Sequence, residues 1–366
     1  MKLAVFADLH LDALFRWAGH DLARRRRQQL REALTRIVDR AEEAGVDAVL
    51  CAGDLFEQEY VTPDTERFLR DAFARVDPVP VFVAPGNHDW LGPASPWARI
   101  DWSPNVHVFR EAELRPVELA EGITLWGAAH RAPANTDGFL SSFRVDRPGV
   151  NLALFHGSER GGFPHQGEGK QPHAPFDAQE IERAGLDHAF VGHHHRPRDA
   201  ERHTYPGNPE PLTFGEDERA GLVLAEVDGA GNVRRERVDV HVCSMGEVRV
   251  DLSGIGHGSE ARERVREAVA GLAGIVRVVL EGEVGEELDL ALADIEDLGD
   301  GALVVVPQVG RITVAYDVGR IADEGTVRGE FVRQVTAAED LDETLRRKVI
   351  VTGLRALAGR SDLEVP

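Results

Sequence analysis

Five short apolar runs in the first 200 residues each end in a side chain that can bind a metal or move a proton. No other feature of the chain constrains its fold as tightly. "KLAVFA" is followed by Asp8 and His10, "DAVLCA" by Gly53 and Asp54, and "PVFVAP" by Gly86, Asn87, His88 and Asp89. "NLALF" runs into His156, and "DHAFV" into Gly192 and the triplet His193, His194 and His195. Such runs, bounded by Gly, Pro, Asp or Asn, predict buried strands, with "ITLWGA" a sixth. Between the first two, Leu30, Leu34, Ile37, Val38 and Ala41 recur at helical spacing and Gly45 closes the helix. "DAQE" marks the start of another, with Asp177 and Glu180 placed for a capping box. Strands alternating with helices predict an α/β architecture, in which groups outside the carboxyl ends of the strands converge.

The ordered set D-x-H, GD, GNHD, H and GHxH is therefore read as one site. Its mixture of carboxylate, carboxamide and imidazole suits borderline divalent metals such as Mn²⁺, Fe²⁺ or Zn²⁺ better than Mg²⁺. The set is too large for one ion. Two ions sharing a carboxylate form a template for phosphoester hydrolysis. In an extended segment, side chains two apart share a face, so His193 and His195 are expected at the site and His194 as a spacer.

The formal net charge of −21 opposes a free-standing nucleic-acid-binding module, because an acidic surface repels a polyanion. It does not exclude a nuclease, since bound cations reverse the local field. Acidic residues follow "RRRR" (Arg24 to Arg27), so that run is read as a solvated helix face. The two cysteines, Cys51 and Cys243, imply no disulfide framework. The apolar run at the N-terminus is too short for a signal peptide, and no stretch suits a membrane helix; a cytoplasmic protein is expected.

Four regions are expected: 1–215 as the catalytic domain, 216–245 as a β-hairpin around "DGAGN", 246–318 as a smaller α/β unit, and 319–366 as a helical region. In the third, a helix on Val265, Ala268, Val269 and Leu272 precedes strands "VRVVLEGEV", "ALVVVPQ" and "RITVAYD". In the last, Ile350, Leu354 and Leu357 share one face of a helix. The Gly- and Pro-rich stretch 156–177 is read as a long loop.

The motif set resembles the calcineurin-like metallophosphoesterases over roughly residues 1–215. Within them it is most similar to the SbcD-type DNA-repair exonucleases, including the YhaO branch, through "FADLHLD", "PFDAQEIERAGLDHAFVGHHHRP" and "YPGNPEPLTFGE". "GTVRGEFVR" resembles the YhaO branch in particular, and the C-terminal unit more weakly resembles the capping domain of these nucleases. The resemblance implies a layered metallophosphoesterase α/β fold with a smaller C-terminal α/β capping domain. It implies one metal held by Asp8, His10, Asp54 and His195, and a second by Asp54, Asn87, His156 and His193, with Asp54 bridging. His88 would protonate the leaving oxygen, and Asp89 would orient His88 or, equally, cap a helix. One departure is Asn208, where the resemblance predicts Ser.

The resemblance further implies two divalent ions, Mn²⁺ foremost, a DNA substrate, a homodimer, and an SbcC-like ABC-type coiled-coil ATPase gripped by the C-terminal region. The competing readings are a metallophosphodiesterase or phosphatase acting on small molecules or proteins, and a non-enzymatic scaffold, which should have lost ligands. His130 follows a strand and is a candidate neighbour of the site. His165, His173, His20, His107, His188 and His203 carry no assigned role.

Overall fold

Parity along the apolar runs sets the layers of the first of two units, Met1–Ser244; the second is Met245–Pro366. The computed structural model describes residues 1–133, 140–161, 172–216, 221–286, 288 and 290–358. In the first unit the strands are β1 (Lys2–Phe6), β2 (Ala48–Cys51), β3 (Val81–Val83), β4 (Val106–Val108), β5 (Arg115–Ala120), β6 (Ile123–Gly127), β7 (Val150–His156), β8 (His188–Gly192), β9 (Arg198–Asp199), β10 (His203–Tyr205), β11 (Leu222–Val227) and β12 (Val233–Val238). Its helices are α1 (His20–Ala44), α2 (Pro63–Ala74), α3 (Pro96–Arg99) and α4 (Ala178–Ala184).

These strands form two six-stranded sheets, ordered β12-β11-β1-β2-β3-β4 and β5-β6-β7-β8-β10-β9. β1 to β4 pair in parallel, as do β6 to β8, so the carboxyl ends in each sheet lie along one edge. Leu3, Val5, Leu50 and Phe82 share a core with Leu125, Leu152, Leu154 and Phe190 of the other sheet. The intervening Ala4, Phe6, Val49 and Cys51 pack instead with Leu30, Leu34 and Ile37 of α1 and Leu69 of α2. On the far side, Trp126, Phe155 and Val191 meet Ile181 and Ala184 of α4. A helix–sheet–sheet–helix sandwich follows, and its covered strands have no polar face. β7 is buried at every position for that reason. The hairpin β11–β12 is not a separate appendage, because β11 pairs antiparallel with β1.

α1 ends at Gly45, whose φ of 57° is left-handed and lets its N–H reach back to the carbonyls of Ala41 and Glu42. The arginine run on this helix departs from expectation. Arg24 and Arg25 are exposed, but Arg26 falls on the stripe of Ala23 and Leu30 and is fully buried. Its charge is met by Glu210 at 2.5 Å, also fully buried.

The second unit comprises β13 (Met245–Asp251), α5 (Gly258–Val269), β14 (Gly274–Gly285), α6 (Leu292–Glu296), β15 (Leu303–Ala315), α7 (Val318–Ala322), α8 (Val327–Ala337) and α9 (Glu343–Leu357). Its three strands are parallel and ordered β13-β14-β15. The sequence reading lacks β13. The two strands it expects after residue 302 are one, because β14 shifts register between Leu280 and Gly282 (φ 120°) and β15 passes that point unbroken. Pro307 is tolerated because β15 is an edge strand. Ile321, Val332, Ile350 and Leu354 form a small core of the last three helices, while Leu357 is exposed. Among the described residues, no helix is long and apolar enough to cross a membrane.

Candidate metal centre

Four candidate ligands in the first unit stand where the backbone turns sharply just past a strand. Asp8, His10, Asp54 and His193 have φ of 56°, 51°, 52° and 106°. Left-handed backbone at a residue with a side chain costs about 1–3 kcal/mol, and it persists where surrounding contacts over-determine it. Those contacts are present. The N–H of Asp8 donates to Gly53 O at 3.0 Å and that of His10 to Asp54 O at 3.0 Å. The N–H of His193 donates to Asp8 Oδ1 at 2.9 Å. Gly53 permits the close approach, since a Cβ there would lie 2.7 Å from Gly86 N and 2.8 Å from His156 Nδ1.

The side chains so aimed converge. Donor atoms of Asp8, His10 and His195 lie within 4.8 Å of one another, and so do those of Asp8, Asp54 and His156. His156 Nε2 is 3.1 Å from Asp54 Oδ2 and 3.1 Å from Asn87 Oδ1. His193 Nδ1 is 3.3 Å from Asn87 Oδ1, and His10 Nε2 is 3.7 Å from Asp54 Oδ2. Asp54 Oδ2 is thus near both His10 and His156, and Asp8 is common to both groups.

The His triplet begins at a turn. His193 is not extended, and its turn, rather than strand alternation, separates the three rings. His195 lies 5.1 Å from the His10 ring, while His194 packs 5.0 Å from the ring of Tyr205.

Hydrogen bonds select the nitrogen that each imidazole presents. Nδ1 of His156 donates to Ala52 O at 2.9 Å. Nδ1 of His10 meets Glu57 Oε1 at 2.8 Å, and Nδ1 of His195 meets Glu216 Oε1 at 2.9 Å. Each holds its Nδ1 proton outward, which leaves Nε2 as the nitrogen that faces the centre. His10 Nε2 is buried with no hydrogen-bond partner among the described residues. At the other end His156 Nε2, Asn87 Oδ1 and Asp54 Oδ2 lie together, and a cation that displaces the His156 Nε2 proton would meet a lone pair on each. Such groups fit cations, and this mixture of N and O donors fits borderline divalent ones.

The electrostatics agree. Burial works against a charged His156, yet the charges of Asp54 and Asp8 and hydrogen bonds to Asp54 and Ala52 push it up to about 9. The field that retains that proton is the field that would hold a cation. Burial and the His156 charge lower His193 to about 2, leaving its ring neutral and able to ligate.

His88 stands apart from the ligands. It is exposed at the mouth, and its Nδ1 lies 2.9 Å from Glu57 Oε2. Burial opposes its protonation, but that bond and the charges of Asp54 and Glu57 raise it to about 9. Glu57 holds both His10 and His88, and sequence reasoning missed it; its only signal is its place three residues after Asp54 in "GDLFE". The expectation that Asp89 orients His88 is corrected. Asp89 is fully buried and accepts from the backbone amides of Asp54 (3.1 Å), Leu55 (2.9 Å) and Gly86 (2.6 Å). It ties the "GD" and "GN" turns together. Glu216, also missed, occupies the end of "YPGNPEPLTFGE".

His130 is buried behind the centre, with Nε2 donating to His156 O at 2.8 Å; burial lowers it to about 4. His173 lies 5.4 Å from the His193 ring. His20 is exposed, and His107 lies on β4 beside Phe82 and Phe109. His188 meets Thr204 and His203 meets Glu159, both inside the fold. His165 lies outside the described residues.

Residues 1–197 match the family model described as calcineurin-like phosphoesterase. The chain is 28% identical over 304 residues to the metallophosphoesterase YhaO of Bacillus subtilis (strain 168), covering 77% of this chain and 72% of that one. It is 29% identical over 375 residues to the DNA double-strand break repair protein Mre11 of Methanopyrus kandleri, covering 92% and 78%. To the protein of the same name from Haloferax volcanii it is 27% identical over 346 residues, covering 88% and 73%.

Proposed function

The chain belongs to the calcineurin-like phosphoesterase family, and from that premise we propose that it hydrolyses phosphodiester bonds of DNA at a two-metal centre. The observation that carries the reading is the convergence of ligand atoms on Asp54, with His10 Nε2 unpartnered at 3.7 Å and His156 Nε2, itself beside Asn87 Oδ1, at 3.1 Å. One ion would be held by Asp8, His10, Asp54 and His195, and the other by Asp54, Asn87, His156 and His193. Mn²⁺ is the first candidate, with Fe²⁺ and Zn²⁺ behind it. Ions bound there would make a water nucleophilic at neutral pH and offset charge on the phosphoryl oxygens.

The chain's own residues do the rest. Water adds to phosphorus and releases a proton to solvent, the P–O bond to the leaving group breaks, and the departing oxygen takes a proton from His88 Nε2. Glu57, against Nδ1, keeps that imidazole charged and aimed. DNA as substrate is supported by the relatives named as double-strand break repair proteins. We further propose, from the motif resemblance alone, a homodimer working with an ABC-type coiled-coil ATPase, with residues 319–366 as its docking region and 246–318 as a cap.

The net charge of −21 favours a second reading, a phosphodiesterase for small molecules. Cleavage of single- and double-stranded DNA should be measured with Mn²⁺ beside cyclic nucleotides and a generic diester, with and without the ATPase. Degradation of DNA is expected. Robust turnover of the small diesters with DNA intact in every condition would overturn the nuclease.

A further inference from the structure

The segment "YPGNPEPLTFGE" carries the likeness to the nucleases, yet none of its side chains is among the candidate ligands. In the structure it closes on His195. Glu216 Oε1 lies 2.9 Å from His195 Nδ1. Glu216 Oε2 is held by Asn208 Nδ2 at 2.5 Å and by the Leu212 N–H at 2.6 Å. The Asn208 N–H donates to His195 O at 3.1 Å, so one residue grips the histidine's backbone directly and its ring through Glu216.

The choice of Asn at 208 has a physical reason. Its Nδ2 faces two acceptors, Glu216 Oε2 and Glu210 O at 3.1 Å, which fixes the amide orientation. An Asp there would set a second carboxylate against Glu216. Ser, the residue expected from the resemblance, offers one donor for two acceptors. The segment is in turn pinned to the helix side of the unit. Arg26 donates to Glu210 Oε1 and to Pro211 O, each at 2.5 Å, and Trp17 Nε1 donates to Leu212 O at 3.0 Å.

We propose that Glu216 and Asn208 are positioning residues that set the tautomer and aim of His195 for one ion of the pair. This rests on the two-metal reading above. Glu216 accepts the hydrogen bond from Nδ1–H and so keeps the proton there, leaving Nε2 as the ligating nitrogen. In Glu216→Gln the side chain has one acceptor for two places. If its oxygen stays on His195, its NH₂ meets the donors of Asn208 and Leu212. If it turns over, the NH₂ faces Nδ1 and drives the proton to Nε2, where the ring can no longer ligate.

The test is calorimetric titration of the metal-free full chain with Mn²⁺, with thermal unfolding of the same samples. Wild type should bind two ions. Glu216→Gln and Asn208→Asp should each weaken one of them about 10–100-fold and leave the other within about threefold. Glu216→Asp keeps the charge but shortens the reach, and it should weaken the same ion even if the amide variant folds poorly. A merely structural role would lower the unfolding midpoint and leave both affinities at the wild-type values, which would overturn the proposal. Failure of wild type to bind any ion would instead overturn the two-metal reading on which it stands.

Discussion

Glu57→Gln is the sharpest probe of the centre, because one carboxylate serves two imidazoles with different tasks. Oε1 is 2.8 Å from Nδ1 of His10, a candidate ligand, and Oε2 is 2.9 Å from Nδ1 of His88, the candidate acid. Burial works against the charge on Glu57, yet the two hydrogen bonds hold it down to about 2, so it is ionised throughout the working range. Glutamine has the same shape but only one acceptor, and one imidazole must lose its partner. A hydrogen bond to a charged group contributes about 1.5–3 kcal/mol, so turnover should fall roughly 10- to 150-fold.

The pH profile identifies which imidazole suffers. With Glu57 present, His88 is raised to about 9; without it, the value should drop toward the ordinary one near 6.5. An acid works only while protonated, so the basic limb of kcat should move to lower pH in the variant. The loss should shrink for a diester with a nitrophenolate leaving group, which needs little protonation. Steady-state kinetics from pH 6 to 10 at saturating Mn²⁺, on alkyl and nitrophenyl diesters, provide the measurement. Wild-type kcat with an unmoved basic limb would refute the reasoning.

Asp54→Ala should abolish hydrolysis and weaken both ions, whereas His88→Ala should bind both and lose about 10²–10⁴-fold in turnover, read by calorimetry beside kinetics. If His88→Ala loses an ion, the division between ligand and acid is wrong. His194→Ala should leave Mn²⁺ stoichiometry unchanged, because its ring packs on Tyr205 and not at the centre. Arg26→Ala leaves Glu210 charged and fully buried, and should cost about 3–5 kcal/mol in urea unfolding; a loss below about 1 kcal/mol would count against a buried pair.

Much of this fold was legible in the first unit because its strands are covered on both faces. A strand such as β7, buried at every position, writes an unbroken apolar run, and its end is marked by the polar residue that follows. The second unit writes a fainter signal. β13 leaves only Met245 and Val250 buried in "MGEVRVD", too sparse an apolar pattern to mark a strand. Arg26 was hidden because composition assigns arginine to the surface, and only the distant Glu210 makes its burial tolerable.

The same contrast separates the two shells of the centre. Asp8, Asp54, Asn87, His156 and His193 are tied to strand ends, and the parallel order of the strands turns sequence position into place. Glu57 and Glu216 have no such tie. Each reaches its histidine from a loop, Glu57 meeting His10 and His88, and Glu216 held on His195 by the Asn208 amide and the Leu212 N–H. Asp89 shows the converse. Adjacency to His88 suggested a partnership, but the turn sends the two side chains apart, one to the mouth and one to the buried amides of Asp54, Leu55 and Gly86. Strand periodicity therefore locates what can touch a metal. The groups that choose each imidazole's tautomer are set by tertiary contacts, and a change at Glu57 or Glu216 should alter the chemistry while every candidate ligand remains in the sequence.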